Sequence, residues 1–372
     1  MEIRDGRWFR VLLLLLQPAL QSCHLLLWAP LDPKMVKFWL LRNPQHQSYA
    51  SRTSTHSISS PIAFTSKNSQ VRISLPVCLF GLPALPKSSF DNRETAPEPP
   101  RSPMDLNMNL NISSTFQYWL VKHPAILHFS WSPSETPASS PLFVSLTIIS
   151  YLTLTFLLSH LPLPLIKPRR LKPITAIHNL NLLLLSLIMA VGSLVTIFSY
   201  APYPFWIICF PPKTPPTGPF FFWAYIFYLS KIYEFVDTFL IILSGSFHRL
   251  TFLHVYHHTM VLVMCYIWLH TSQSLFPAVI AANAMVHVVM YTYYLLAALG
   301  VRPKWKRRVT EFQIFQFMSS FVGLVWMLIY HFNGSGCCGI WGWCFNIFFY
   351  VSLLALFMDF HAKSYRSSKK DL

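Results

Sequence analysis

The sequence predicts an all-α membrane protein that crosses the bilayer several times. Of its 372 residues, 53% are hydrophobic and only 11% are charged, whereas soluble globular proteins usually carry about 25% charged residues. After residue 140, seven apolar segments approach the roughly 20 residues that a spanning helix needs. Helix is the expected state, because lipid offers no partner to an open strand edge. The approximate limits are 141–161, 176–199, 219–243, 252–269, 274–298, 311–331 and 340–361.

Residues 1–103 differ from the rest of the chain, because they are rich in Ser and Pro and contain no segment of spanning length. The opening stretch MEIRDGRWFRVLLLLLQPAL has basic residues before a leucine run and resembles a signal peptide. The leucine run also fits a short anchor, and Met104 also fits a native start behind an over-extended gene prediction. Residues 104–140 then form the flank before the first span. We assign no function to the residues before 104.

The basic residues fix an expected orientation. The loops after the first, third and fifth spans, together with the C-terminal tail, hold 14 Lys and Arg residues, whereas the alternate loops hold Lys213 alone. Because cytosolic loops concentrate Lys and Arg, we expect the flank at 104–140 to be luminal and the tail at 362–372 to be cytosolic. The net charge of +16 therefore gives no reason to predict nucleic-acid binding. Lys369 and Lys370 fit a dilysine retrieval signal for the endoplasmic reticulum, with a solvated basic tail as the alternative.

Three histidines near the start of the fourth span are the main candidates for chemistry. His254, His257 and His258 follow the i, i+3, i+4 pattern, which places their imidazoles on one face of a helix. An ionisable side chain at membrane depth costs about 3 kcal/mol or more. A lone histidine on an apolar face is more often a core residue, but three beside acidic groups favour a reaction centre. Because the cluster follows Arg249, we expect it in the cytosolic half of the membrane.

Other polar side chains fall on the third, fifth and sixth spans. Lys231 and Glu234 are spaced for an intrahelical ion pair, which fits a structural and a catalytic role equally well, and Asp237 is placed to orient an imidazole through its N–H. The remaining candidates are Asn283, His287, Tyr291 and Tyr294 on the fifth span and Thr310, Gln313 and Gln316 on the sixth. These groups fit interhelical hydrogen bonding as well as a pocket for a substrate with a polar head and an apolar tail.

Three kinds of chemistry fit this inventory. A neutral imidazole can attack a thioester, a second can move protons, and amide or phenol donors can hold the oxyanion. A metal-dependent membrane hydroxylase or desaturase is the alternative, although one histidine cluster plus His287 supplies too few ligands for two irons; a single zinc stays open. A transporter or receptor is third, since neither internal repeats nor interrupted helices are clear. The seven cysteines contain no C-x-x-C pair, which disfavours a structural zinc site.

Four motifs together resemble the ELO family of very-long-chain fatty-acid elongases, of the GNS1/SUR4 type. They are K-x-x-E-x-x-D-T at 231–238, H-x-x-H-H at 254–258, N-x-x-x-H-x-x-M-Y-x-Y-Y at 283–294 and T-x-x-Q-x-x-Q-F at 310–317. Their order and spacing are those of the family, and the wording HVYHHTMV is similar to the plant and fungal branch. The resemblance covers roughly residues 115–372.

The resemblance implies a very-long-chain 3-oxoacyl-CoA synthase of the endoplasmic reticulum. Such an enzyme joins a long-chain acyl-CoA to malonyl-CoA and releases carbon dioxide and CoA, with no cofactor or metal beyond its CoA thioesters. It implies that His257 takes the acyl group, that His287 acts at the same centre, and that His254, His258 and Asp237 position the imidazoles. The implied substrate-binding residues are Lys231, Glu234, Asn283, Tyr291, Tyr294, Gln313 and Gln316, with Lys304, Arg307 and Arg308 attracting the CoA phosphates.

The resemblance also implies an architecture and partners. The last six of seven helices would form a barrel of two three-helix units around a closed acyl tunnel, whose depth would limit acyl length. Because Cys209 and the pair Cys337 and Cys338 fall in luminal loops and the lumen is oxidising, we expect a disulfide from Cys209 to one of the pair. The implied partners are the bilayer and the ketoacyl reductase, dehydratase and enoyl reductase of the elongation cycle. Chain length, saturation and any homo-oligomer stay open.

Overall fold

A computed structural model describes residues 110–133, 135–161, 166–203, 205–301 and 303–366 of the chain. Within these ranges every regular element is helical, and one isolated β-bridge joins Ser130 and Thr217. The expectations for residues 1–103 and for the retrieval signal at Lys369 and Lys370 lie outside the described residues.

Ten α-helices follow one another along the described ranges. Their bounds are α1 Leu110–Gln117, α2 Pro124–Leu127, α3 Pro141–His160, α4 Pro168–Tyr200, α5 Pro219–Tyr233, α6 Phe235–Leu243, α7 Phe252–Thr271, α8 Phe276–Ala298, α9 Lys306–Asn333 and α10 Ile340–Arg366. A π-helical turn at Tyr118–Lys122 follows α1, and a 3-10 turn at Phe247–Arg249 precedes α7. Helices α3, α4, α7, α8, α9 and α10 are each long and apolar enough to cross a membrane. The predicted polytopic helical membrane protein is confirmed.

Local sequence explains where two of these helices begin. The Ser140 hydroxyl accepts a hydrogen bond from the backbone N–H of Phe143 at 3.1 Å, and Pro141 occupies the first position of α3. The Thr251 hydroxyl accepts from the backbone N–H of His254 at 3.2 Å. Both side chains satisfy an amide that the helix itself leaves without an acceptor. The cap at Thr251 also fixes the register of the histidine-bearing helix at its first turn.

The third predicted span is not one continuous helix, and that expectation was wrong. It consists of α5 and α6, which separate at Glu234. There the backbone N–H of Asp237 donates to the carbonyl of Glu234 at 3.0 Å, which is the tighter i→i+3 pattern of a 3-10 turn. The tighter turn changes which side chains of α6 face inwards relative to α5. The interruption falls among the charged residues of the span, Lys231, Glu234 and Asp237.

Helix packing closes a ring of six helices, α4, α5, α7, α8, α9 and α10. Around the ring α4 packs against α5, α5 against α7, α7 against α10, α10 against α9, α9 against α8, and α8 against α4 again. Helices α4, α5 and α7 are neighbours in the ring, and so are α8, α9 and α10, in agreement with the expected barrel of two three-helix units. Helix α3 lies outside the ring and packs on α6 and α7. The ring places the inner faces of α5, α7, α8 and α9 around one interior.

The two ends of the ring are chemically different. At the end where α8 and α10 finish and α9 begins lie Lys304, Arg307 and Arg308, and we call it the basic end. At the opposite end, which we call the disulfide end, Cys209 and Cys337 are joined. There the Ser274 hydroxyl accepts from the N–H of Phe210 at 2.8 Å and donates to the Cys338 carbonyl at 2.9 Å, and the N–H of Leu275 donates to the Ile207 carbonyl at 2.8 Å. Three connecting segments are thus fastened together at the disulfide end.

Candidate functional site

A buried ion pair lies at the junction of α5 and α6. Nζ of Lys231 is 2.7 Å from Oε1 of Glu234, and both residues are at most 1% exposed. The same carboxylate oxygen lies 3.4 Å from Nδ1 of His287 on α8. Removing either partner from such a pair leaves an uncompensated charge in a medium that solvates it poorly. Glu234 therefore couples Lys231 to His287, and the junction of α5 and α6 holds the carboxylate between them.

Amide side chains extend this network across the ring. Nζ of Lys231 is 3.4 Å from Oδ1 of Asn283, and Nδ2 of Asn283 donates to Oε1 of Gln316 on α9 at 3.1 Å. The ammonium group also lies 4.2 Å from the centroid of the Phe227 ring, at a distance that suits a cation–π contact. The structure thus brings Lys231, Asn283 and Gln316 together in one buried polar layer.

The three histidines of α7 point into the same interior. The ring centroids of His254 and His258 are 4.4 Å apart, and those of His257 and His258 are 5.4 Å apart. Nε2 of His254 lies 2.9 Å from the hydroxyl of Thr238 on α6. His258 is only 6% exposed, and its Nδ1 has no hydrogen-bond partner. His258 is therefore buried, whereas His254 and His257 are half-buried.

Asp237 orients an imidazole, but not one of the three on α7. Its Oδ1 lies 3.1 Å from Nε2 of His178 on α4, and its Oδ2 accepts from the Tyr291 hydroxyl at 2.9 Å. Thr238, the next residue of α6, contacts His254 instead. The role of Asp237 in positioning the reacting imidazoles stays a prediction.

His178 was not among the predicted site residues, because the apolar pattern placed it only two residues from the start of a span. Helix α4 begins at Pro168 and contains Pro173, whereas the apolar pattern predicted a start at 176. His178 therefore lies well inside a helix, and it is 5% exposed. A signal was present in the chain: Leu182, Ser186 and Met189 continue the buried stripe from His178 at helical spacing.

Other predicted residues lie at the edge of the cluster or away from it. Tyr294 packs edge-on against Tyr291 with ring centroids 6.0 Å apart. Nε2 of Gln313 is 3.4 Å from Sδ of Met290, so Gln313 faces α8 one turn from Gln316. The hydroxyl of Thr310 lies 3.3 Å from that of Tyr365 on α10. These contacts join residues of α8, α9 and α10.

The predicted phosphate-attracting residues are separate from the buried cluster. Lys304, Arg307 and Arg308 are exposed at the basic end. Nε of Arg307 pairs with Oε1 of Glu311 at 2.8 Å, and Nε of Arg308 lies 3.9 Å from Oε2 of the same residue. Exposed pairs of this kind contribute little to stability. The arginines therefore stay available to an anionic ligand at that end.

A narrow cavity leads from the histidines towards the disulfide end. His257 lines it at the end near the polar layer, and Trp268 lines it on the same helix, about 16 Å further along α7 at the helical rise per residue. Nε1 of Trp268 donates to Oδ1 of Asn346 on α10 at 3.1 Å, and the Phe227 and Phe276 rings stack on the indole. Trp268 is the lining residue of α7 that lies nearest the disulfide end. The lining residues are Phe227, His257, Val261, Met264, Trp268, Val279, Asn283, Gln316, Phe317, Phe349, Tyr350 and Leu353.

The cysteines at the disulfide end are paired in one way. Cys209 is joined to Cys337, and Cys338 is a free thiol beside the bond. Backbone contacts hold this arrangement, because the N–H of Cys338 donates to the Phe210 carbonyl at 2.9 Å and the N–H of Cys337 to Nδ1 of His331 at 2.8 Å. The sequence left either member of the pair open as the partner of Cys209.

The His, Cys, Asp and Glu side chains of the site do not form a metal-binding arrangement in the described residues. In the part of the chain that the structure describes, no group of three or more His, Cys, Asp or Glu side chains is arranged to hold a metal ion. The trio on α7 is spread along one helical face, and the two nearby carboxylates are taken by Lys231 and His178.

Comparison with known proteins decides the family. The sequence pattern of the ELO (GNS1/SUR4) family matches residues 136–371, which is more than half of the chain. The chain belongs to the ELO family. The resemblance inferred from the four motifs is therefore confirmed, and the matched region contains the ring of helices and every candidate residue of the site.

Several relatives of this ELO chain carry elongase names. Fatty acid elongase A of Dictyostelium discoideum is 36% identical over 248 residues, which cover 64% of this chain and 88% of the relative. Very long chain fatty acid elongase 5 of Homo sapiens is 34% identical over 224 residues, covering 55% of this chain and 70% of the relative. Fatty acid elongase 3-like of Arabidopsis thaliana is 26% identical over 282 residues, covering 71% of this chain and 97% of the relative.

Proposed function

We propose that this ELO chain is the condensing enzyme of fatty-acid elongation, which joins a long-chain acyl-CoA to malonyl-CoA. One observation carries the proposal: His257 lines a narrow, largely apolar cavity together with Asn283 and Gln316, which belong to the buried polar layer of Lys231 and Glu234. In this proposal the acyl chain lies between the apolar side chains that line the cavity, which must move apart to admit it, with its thioester at the imidazole and its CoA directed to the basic end. Family membership and the elongase relatives support the same substrate class.

In the first half-reaction His257 acts as the nucleophile. A ring nitrogen attacks the thioester carbonyl, the carbon–sulfur bond breaks, and the imidazole proton passes to the departing thiolate, so that an acyl-imidazole and free CoA result. His258 lies beside His257 and is suited to move this proton, since its Nδ1 is unpaired. The Lys231 ammonium, held in the polar layer, stabilises the negative charge that develops on the carbonyl oxygen.

In the second half-reaction malonyl-CoA supplies the carbon nucleophile. Loss of carbon dioxide leaves an enolate, whose carbon attacks the acyl carbon while the carbon–nitrogen bond to His257 breaks. The imidazole recovers its proton from solution, and the product is a 3-oxoacyl-CoA. His287, whose Nδ1 faces Glu234, is suited to hold the malonyl thioester oxygen as the enolate forms. The exposed Lys304, Arg307 and Arg308 attract the CoA phosphates of both substrates.

We place the chain in the endoplasmic-reticulum membrane with the basic end in the cytosol. The excess of Lys and Arg at that end supports this orientation. The disulfide between Cys209 and Cys337 supports it independently, because disulfides form in oxidising compartments such as the lumen. The reductases and dehydratase that process 3-oxoacyl-CoA would then meet its product on the cytosolic side.

The proposal is tested with purified protein, radiolabelled malonyl-CoA and a series of acyl-CoA lengths. We expect wild type to form 3-oxoacyl-CoA, His257→Ala to lose at least about 1,000-fold in rate, and His270→Ala, on the same helix at the disulfide end, to retain activity. Incubation with acyl-CoA alone should release CoA and add an acyl mass to the His257 peptide. Equal product from wild type and His257→Ala would remove His257 from the nucleophile role.

The same experiment separates the other two classes. Turnover that requires added iron and dioxygen would favour a hydroxylase or desaturase. Uptake of acyl-CoA without release of CoA would favour a transporter.

A further inference from the structure

A second carboxylate network lies beside the site and has no part in the half-reactions above. Nε2 of His178 lies 3.1 Å from Oδ1 of Asp237, and the Tyr291 hydroxyl donates to Oδ2 at 2.9 Å. His178 comes from α4, Asp237 from α6 and Tyr291 from α8, so the three residues join three helices. Both oxygens of the carboxylate are engaged by groups other than the α7 histidines.

The chemistry of the three groups fixes the direction of each hydrogen bond. An ionised carboxylate only accepts, so Nε2 of His178 carries a proton and donates. Among the residues that the structure describes, no lysine or arginine forms an ion pair with Asp237. The side chain of Asp237 is 17% exposed and that of His178 only 5%. A carboxylate so poorly hydrated needs these two donors to stay where it is.

The network reaches the site through Tyr291. The Tyr291 ring is 1% exposed and packs edge-on against His287, with ring centroids 5.6 Å apart. His287 in turn faces Glu234, which holds Lys231. Asp237 therefore fixes the Tyr291 ring through its hydroxyl. The ring itself forms one wall of the space around His287.

We propose that His178 is a positioning residue for the condensation: through Asp237 it holds the Tyr291 hydroxyl, and thereby the Tyr291 ring, against His287. The inference rests on the proposed function. His178 touches neither substrate nor a reacting atom, so its effect is on the geometry of His287. Because a misplacement of about 1 Å can cost about 100-fold in rate, His178 affects turnover more than the binding of the acyl tail, which lies in the cavity below.

Two substitutions at His178 distinguish positioning from bulk packing. His178→Phe keeps a ring and removes the donor, whereas His178→Gln places an amide N–H near the position of Nε2. With purified protein of equal folded amount, we expect His178→Phe to lower kcat about 100-fold with the KM for acyl-CoA unchanged, and His178→Gln to recover at least about a tenth of wild-type kcat. His160→Phe, at the exposed end of α3, is the matched control and should behave as wild type.

A double variant tests the route through Tyr291. If His178 acts through Asp237 on the Tyr291 hydroxyl, the double variant His178→Phe/Tyr291→Phe should be as active as the less active of the two single variants. Should His178→Phe fail to fold, His178→Asn, whose amide is too short to reach Asp237, replaces it in both comparisons.

Three results would overturn the inference: wild-type kcat in His178→Phe, equal damage from Gln and Phe, or losses that multiply in the double variant. Failure of wild type to form 3-oxoacyl-CoA would instead contradict the proposed function. If wild type condenses and His178→Phe condenses at the same rate, only the role of His178 is contradicted.

Discussion

The hydroxyl oxygen of Thr238 lies 2.9 Å from Nε2 of His254, and the same oxygen lies 3.0 Å from the phenolic oxygen of Tyr151. Tyr151 belongs to α3, which lies outside the ring. Because a hydroxyl donates one hydrogen bond and accepts others, Thr238 can hold both partners at once. The first histidine of the trio is thus fixed by a chain of two hydroxyls that begins on a helix with no other part in the site.

Removing the Thr238 hydroxyl should therefore disorient His254. We expect Thr238→Val, which keeps the branched shape, to lower kcat about 10-fold, since a buried hydrogen bond contributes about 1 kcal/mol and its loss leaves Nε2 of His254 without its partner. Thr238→Ser restores the hydroxyl and should stay within about 3-fold of wild type. Condensation rates of purified protein measure both. A Val variant as active as the Ser variant would show that the contact does not matter for turnover.

The buried pair of Lys231 and Glu234 makes a prediction about stability. Lys231→Met leaves the Glu234 charge uncompensated, so we expect a loss of about 3–5 kcal/mol and a lower midpoint of thermal unfolding in detergent. The double variant Lys231→Met/Glu234→Leu buries neither charge and should recover much of that midpoint. Neither variant should condense, because both lack the ammonium group of the polar layer. A double variant less stable than Lys231→Met would contradict this account.

The helical membrane fold could be predicted from the sequence because the signals that specify it are local. Seven apolar segments of spanning length predict seven crossings without any knowledge of packing, and the α7 trio identifies itself by spacing on one helix face. The break at Glu234 was missed, because the segment 219–243 is apolar on both sides of it and hydropathy does not register a change from i→i+4 to i→i+3 bonding.

Partners between helices were predicted less well. Asp237 and Thr238 are adjacent, and only the rotation of α6 after the turn at Glu234 decides that Thr238 meets His254 while Asp237 meets His178. No spacing within α4 or α6 reveals the pairing of His178 with Asp237, since these two residues are 59 positions apart in the sequence. The disulfide has the same character: adjacent Cys337 and Cys338 are equivalent in sequence, and the fold of their loop selects Cys337.

The disulfide should stabilise the fastened end of the ring. It joins residues 128 positions apart, and removal of a native disulfide from a small domain typically costs about 2–5 kcal/mol. We expect Cys209→Ser, and wild type treated with reductant, to unfold at a lower temperature, whereas Cys338→Ser should match wild type. A non-reducing peptide map should recover Cys209 linked to Cys337, with Cys338 alkylated. Recovery of all three as thiols would remove the bond from the description.

Trp268 should set the longest acyl chain that the cavity accepts. Its indole is 1% exposed, lines the cavity, and is held in place by Asn346 and by the rings of Phe227 and Phe276. Trp268→Ala removes that barrier, so the terminal methyl of a longer chain can pass beyond its level. We expect the variant to elongate acyl-CoA substrates at least one cycle longer than wild type does, with some loss of folded protein because the Trp→Ala change costs about 3–5 kcal/mol.

Product lengths measured by mass spectrometry across a series of acyl-CoA substrates test this prediction. Asn346→Leu, which keeps the volume but removes the acceptor of the indole N–H, should shift the limit in the same direction by a smaller amount, because the ring is loosened and not deleted. Trp343→Ala is the matched control, since Trp343 donates to the Leu324 carbonyl and does not line the cavity. If Trp268→Ala and Trp343→Ala keep the wild-type length limit, the barrier lies elsewhere along the cavity and the indole only braces the neighbouring helices.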